Sequence, residues 1–334
     1  MEAYPDLLDE ALFFLIGLTF LTVGADWLVR GSVRLAEGFN VSPLIVGLTI
    51  VAFGTSAPEL VVSSAAALRG QPGLAVGNVM GSTVANVGLI VGIGSLIRPI
   101  EVHRLLLVRE SPLLVLVLAI VMILAMNGVV GRLDGFILVT GFTFYLLFLL
   151  RWGRQEAKRD ASARAASGEV KSHPPEWEEA RKSARRRMIW LSLAKIGLGI
   201  TGLFIGADLL VDSAVAIARA FNVPESVIGA TLVALGTSLP ELASTVAAAI
   251  RGLGDIAIGN VIGSNVFNLG LVLGVASLLE PLYLPHWVVV RQVLPALIFC
   301  LALIPLAFTR NRVGRWEGAL LLSGYLGFIV LTFR

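Results

Sequence analysis

Residues 47–92 of this chain recur 182 positions downstream without a gap, and 26 of the 46 aligned positions are identical. VAFGTSAPEL at Val51 matches VALGTSLPEL at Val233, and GNVMGSTVANVGL at Gly77 matches GNVIGSNVFNLGL at Gly259. The same shift brings Gly24-Ala25-Asp26 onto Gly206-Ala207-Asp208 and Phe39-Asn40-Val41 onto Phe221-Asn222-Val223, so each copy occupies close to half of the chain. Chance does not produce such a match. Whatever one half folds into, the other half folds into as well, and any polar residue of the unit appears twice.

The medium in which the two halves fold follows from composition. The chain is 56% hydrophobic and 15% charged, with a mean hydropathy of +0.86. About twenty apolar residues cross a bilayer as a helix, and runs of that length recur at 11–36, 43–69, 73–97, 107–127, 132–150, 188–219, 224–250, 255–279, 286–309 and 314–333. The expectation is an all-α membrane protein of about ten helices. Five spans belong to each copy, and an odd number forces the second copy to enter the membrane from the opposite side. The repeats are therefore expected to be inverted, a plan of secondary transporters whose substrate site lies near the midplane between the copies.

The first repeat is assigned to 1–150 and the second to 188–334, with a basic linker at 151–187. The acidic start, MEAYPDLLDE, lacks the charge of a secretory signal, so the first span is expected to stay in the protein. If the linker is cytoplasmic, Lys and Arg divide 20 to 5 in favour of that side, with Lys195 unassigned inside a span. Both termini are then outside. The net charge of +3 resides in loops and does not suggest nucleic acid. Cys300, the sole cysteine, sits in an apolar run and reads as packing. It excludes an intramolecular disulfide or a cysteine-based metal cluster.

Each repeat carries Gly-Thr-Ser-x-Pro-Glu inside a span, at Gly54–Glu59 and Gly236–Glu241. Pro58 and Pro240 have no N–H to give the carbonyl four residues back, so Gly54 and Gly236 lose their helical partners. The carbonyls of Ala52, Thr55, Ala234 and Thr237 are expected to be free nearby. Unpaired backbone at membrane depth is tolerated where it lines a cavity or holds something. An intramembrane acid costs about 2.5–3.5 kcal/mol on insertion scales, so Glu59 and Glu241 call for a functional reason. Thr55 and Thr237 precede them by four residues and share their helix faces.

The following spans add Asn78, Ser82 and Asn86, and Asn260, Ser264 and Asn268, in stripes of period four. Two carboxylates among neutral oxygens, without thiolate or imidazole, suit calcium or sodium rather than zinc or copper. Taken singly, Ser, Thr and Asn in membrane helices more often serve packing and interhelical hydrogen bonds. Duplication of the whole set beside a helix breaker outweighs that reading. Asp26 has Arg30 four residues on and reads as an ion pair. His103, His173 and His286 fall in or beside loops, which leaves no buried histidine relay.

The paired GTSAPEL/GTSLPEL and GNVMGSTVAN/GNVIGSNVFN segments resemble the alpha-repeats of the calcium/cation antiporter superfamily, in particular its prokaryotic sodium/calcium exchanger branch. The resemblance covers the whole ten-span plan. It implies an exchanger in a prokaryotic inner membrane whose second, third, seventh and eighth spans hold the ions while the first and sixth slide across them. It makes Glu59 and Glu241 ligands shared by calcium and sodium, with carbonyls of Thr55 and Thr237 at the calcium site. Ala52, Ser82, Ala234 and Ser264 fall at an outer sodium site, Ser56 and Ser238 at an inner one, and Asn86 and Asn268 flank the centre. Three sodium ions per calcium are implied.

Potassium-dependent relatives carry Asp where this chain has Asn268, which argues against potassium co-transport. The expected substrates are calcium and sodium, with no cofactor, no obligatory protein partner and no enzymatic activity. Ser56 and Ser238 have no neighbouring base, and no HExxH, P-loop or nucleophile elbow occurs. A cation/proton antiporter using the same glutamate pair is the alternative, and a passive channel is a third reading.

Overall fold

The computed structural model describes residues 7–166, 175–221, 223, 234–284, 288–308 and 310–332. Helix α1 is Leu7–Phe39. The second span is broken into α2 (Pro43–Thr55) and α3 (Ala57–Leu68), which bend by 46° at Ser56. Then come α4 (Pro72–Ile97), α5 (Leu106–Asn127) and α6 (Arg132–Ala166). The second half holds α7 (Pro175–Ala220), α8 (Ala234–Gly236), α9 (Leu239–Ile250), α10 (Gly254–Leu279), α11 (Val289–Phe308) and α12 (Arg315–Thr332).

Among the described residues seven helices are long and apolar enough to span a bilayer, and the α2–α3 pair makes an eighth. Helix α12 and the α8–α9 pair answer to the remaining two expected spans. Part of the span expected at 224–250 lies outside the described residues.

Three prolines sit at helix starts, Pro43 and Pro72 at the first turns of α2 and α4 and Pro58 at that of α3, whereas Pro305 lies inside α11. At a helix start the missing N–H has no carbonyl to serve. The hairpins from α3 to α4 and from α9 to α10 turn through Gly70 (φ +68°) and Gly252 (φ +73°), equivalent positions in a left-handed conformation that favours glycine. The fifth and sixth spans differ from the expected boundaries. Helix α6 continues past residue 150 to Ala166 and α7 starts at Pro175, because the Arg, Lys, Glu and Ala of the segment expected as a linker are themselves good helix formers.

Two antiparallel ribbons demonstrate the inversion. Strand β1 (Ile100–Glu101) pairs with β4 (Arg312–Val313), and β2 (Val129–Val130) pairs with β3 (Leu282–Tyr283). Strands β1 and β2 flank the single span α5, so they lie on opposite faces of the bilayer. Strand β3 shares a face with β2, yet the 182-residue shift makes it the counterpart of β1. Equivalent residues of the two repeats thus lie on opposite sides.

Helices α4 and α10 form the centre, with 72% and 83% of their most apolar stretches buried, against 17–39% for the other long spans. Helices α1 and α7 pack on one another through glycine. A Cβ on Gly24 would lie 2.8 Å from the Gly199 carbonyl oxygen, and one on Gly17 2.9 Å from that of Gly206. Gly17 and Gly199 are repeat mates, as are Gly24 and Gly206, so the crossing itself is two-fold. Close backbone approach of this kind is how membrane helices gain contact without a hydrophobic drive.

Candidate ion site between the two repeats

Broken helices bring the motif residues together at the centre. Glu59 and Glu241 follow the breaks in the first turns of α3 and α9, and both are fully buried. The breaks are not identical. In the first repeat the Ser56 N–H still reaches the Ala52 carbonyl at 3.0 Å, so that oxygen is engaged, contrary to expectation. The chain bends at Ser56 without unwinding. In the second repeat the Ser238 N–H reaches the Leu235 carbonyl at 3.1 Å, and Thr237 and Ser238 form a turn after α8.

The polar contacts run both between and within repeats. Ser56 Oγ donates to Glu241 Oε1 at 2.8 Å. Ser82 Oγ lies 3.4 Å from Glu59 Oε1, with Ser238 Oγ behind it at 3.3 Å. The Thr55 hydroxyl meets Asn260 Oδ1 at 3.2 Å and the Thr237 hydroxyl meets Asn78 Oδ1 at 3.3 Å, a symmetric exchange. Ser264 Oγ is 3.5 Å from Thr55 Oγ1. Asn78 and Asn260 donate in turn to Ser63 and Thr245, another equivalent pair.

Not every oxygen is satisfied. Glu59 Oε2, Glu241 Oε2 and Asn86 Oδ1 are buried without a hydrogen-bond partner, as are both amide atoms of Asn268. Among the described residues no Lys, Arg or His forms an ion pair with either glutamate. A buried carboxylate without a counter-charge costs several kcal/mol, and an orphaned buried oxygen costs about 1–3 kcal/mol more. Such a set is destabilising when empty and stabilised by a cation. Oxygen ligands alone suit a hard ion, and two carboxylates match one divalent or two monovalent charges.

Eleven of the twelve expected residues, Ala52, Thr55, Ser56, Glu59, Ser82, Asn86, Thr237, Ser238, Glu241, Ser264 and Asn268, meet here on α2–α4 and α8–α10. The twelfth, Ala234, is the first described residue of α8. Sequence reasoning missed Ser63, Ser244, Thr245 and Asn265, all buried polar residues of this network. Ser63 and Thr245 each stand four residues after a glutamate, so the face that carries the acid extends one turn further. Asn265 breaks the period-four stripe and was invisible to it. His103 is exposed and accepts the Leu105 N–H at 3.2 Å. His173 and His286 lie outside the described residues. Cys300 is buried in α11.

The two sides of this centre differ. A cavity of about 380 Å³ runs beside the break, walled by Pro58, Val61, Asp208, Val211, Thr237 and Pro240. Asp208 on its wall is exposed. On α1 the counterpart is tighter, with Val29, the mate of half-buried Val211, fully buried and Asp26, the mate of exposed Asp208, half-buried. Asp26, the mate of Asp208, binds Arg30 Nε at 2.8 Å, as expected, and also Arg251 at the end of α9.

Known proteins place this architecture. A family model described as sodium/calcium exchanger protein matches residues 10–151 and 191–334. Sodium/calcium exchanger MaX1 of Methanosarcina acetivorans is 32% identical over 342 aligned positions, covering 96% of this chain and 98% of that one. Inner membrane protein YrbG of Escherichia coli is 34% identical, covering 98% and 97%. A structure of the sodium-calcium exchanger NCX_Mj superposes with a TM-score of 0.81 at 34% identity, over 98% of this chain and all of that one. With its inverted five-helix repeats and discontinuous helices at the centre, this chain belongs to the sodium/calcium exchanger family of membrane antiporters.

Proposed function

We propose that the protein exchanges sodium for calcium across a prokaryotic plasma membrane by alternating access, with Glu59 and Glu241 as ligands shared by both ions. The observation that carries this reading is the pair of fully buried carboxylates, one from each repeat, each with an oxygen lacking any protein partner. One calcium or two sodium ions neutralise them. A neutralised centre can pass the apolar helices α1 and α7, whereas two bare charges resist that step, and this difference enforces exchange over leak. Around the acids, Thr55, Thr237, Ser56, Ser238, Ser82, Ser264, Asn86 and Asn268 supply neutral oxygens and Ala234 supplies a carbonyl, while the Ala52 carbonyl is already engaged by Ser56.

The open cavity beside α7 and the tighter counterpart beside α1 fit one of two mirror-related states. With the linker cytoplasmic, the ribbon β1–β4 faces inside and the cavity faces outside. The Lys and Arg bias and the name of the Escherichia coli relative support a plasma-membrane setting.

Calcium uptake into sodium-loaded proteoliposomes tests the function, with potassium and the pH gradient varied separately. Uptake is expected to require internal sodium and to ignore potassium. Uptake driven by a proton gradient without sodium would replace this reading with a cation/proton antiporter, and unsaturable flux without a counter-ion would make it a channel.

A further inference from the structure

We infer that Asn265 is a positioning residue that fixes the side-chain amide of Asn86 with its oxygen toward the ions. This rests on the ion site proposed above. Asn265 and Asn86 are both fully buried, on α10 and α4 from opposite repeats. Asn265 Nδ2 faces the backbone carbonyl of Thr83 at 3.5 Å. A carbonyl only accepts, so it must meet the NH2 end of Asn265, and the oxygen end turns away. That oxygen lies 2.8 Å from Asn86 Nδ2. Asn86 must therefore also present its NH2 to Asn265, which leaves Asn86 Oδ1 as the buried atom without a protein partner. One backbone carbonyl thus orients two amides in series, and the last oxygen is held free for a cation.

The second repeat lacks this relay. The mate of Asn265 is Thr83, the one polar position in the GS(T/N)VxN segment where the repeats differ. The Thr83 hydroxyl turns back to the Val79 carbonyl at 2.8 Å and offers nothing to the other side. Asn268, the mate of Asn86, accordingly has both amide atoms unpartnered. The two flanking amides of a nearly symmetric site are therefore unequal. Asn86 is locked as an acceptor, while Asn268 is free to turn either end.

Calcium-induced thermal stabilisation of the detergent-purified protein tests this without relying on transport. Asn265→Leu should raise the calcium concentration for half-maximal stabilisation about ten-fold, the worth of one oriented buried hydrogen bond, on top of a lower calcium-free melting temperature because Asn86 Nδ2 loses its partner. Asn86→Ala should do the same. The double variant should be no worse than Asn86→Ala, because Asn265 acts only through Asn86. If Asn265→Leu does not fold, Asn265→Thr reproduces the residue of the first repeat and should give the same shift and the same non-additivity.

Additive losses in the double variant, or wild-type calcium response in Asn265→Thr, would overturn the positioning role. A wild-type protein with no calcium-induced stabilisation would instead remove the ion site itself.

Discussion

The ion pair between Asp26 and Arg251 gives a signed prediction about the balance of the two conformations. Arg251 follows α9, which carries Glu241, and Asp26 lies on α1, the helix proposed to slide, so the pair ties the two together in the conformation whose cavity lies beside α7. In the inverted repeat the corresponding residues are Arg69 and Asp208. Among the described residues neither has an ion-pair partner. Inversion therefore predicts that Arg69 meets Asp208 in the other conformation, when Arg251 and Asp26 part.

The side chains of Arg251 and Asp26 are 32% and 29% exposed, and Arg30 remains on Asp26 after either change. Screening limits the contribution of such a pair to about 0.5–1 kcal/mol. That is about a two- to five-fold shift in the equilibrium. Cysteines at Val211, on the cavity wall, and at its buried mate Val29 report the two conformations, and buried Cys300 leaves a quiet background. The ratio of thiol-labelling rates, Val211→Cys over Val29→Cys, should fall by that factor in Arg251→Gln. It should rise in Arg69→Gln. An unchanged ratio in both, or a shift of the same sign in both, would refute the reasoning.

Two further outcomes follow from packing and from charge. Gly24→Ala should destabilise the α1–α7 pair by about 1–3 kcal/mol, since its Cβ would meet backbone at 2.8 Å, whereas Gly197→Ala, which meets nothing within 4 Å, should be neutral. Thermal melting in detergent separates them. Asn268→Asp adds a third carboxylate to a dry site where like charges compete for protons, so calcium transport should become more sensitive to pH than in the wild type. An unchanged pH profile would mean that Asn268 does not face the ions.

Much of this was legible in the chain. A membrane penalises every polar group, so the residues that persist at its centre stand out, and the exact 182-residue spacing doubled their signal. Glu59, Glu241 and the Thr, Ser and Asn around them were found this way, as was the inversion, from parity alone. The cross-repeat choices were not legible. Nothing in the sequence says that Ser56 serves the glutamate of the other repeat, because helix periodicity reports only neighbours on one face. The ends of α6 and α7 were missed because hydropathy marks where lipid stops and a charged helix does not stop there. Which side is open was also hidden, since near-equal repeats encode both states and the sequence specifies their mirror relation without the choice.

The central claim is that two carboxylates, one from each repeat, hold the exchanged ions together. Sodium-driven calcium uptake by Glu59→Gln and by Glu241→Gln, each reconstituted at matched amounts of folded protein, tests it most directly. The amide keeps the size of the side chain and its ability to accept from serine while removing the charge. Loss of one partner from a desolvated charge pair costs about 3–5 kcal/mol, so each variant should lose about two to three orders of magnitude in uptake at low calcium, and the two losses should be alike. Wild-type uptake in either variant would contradict the account.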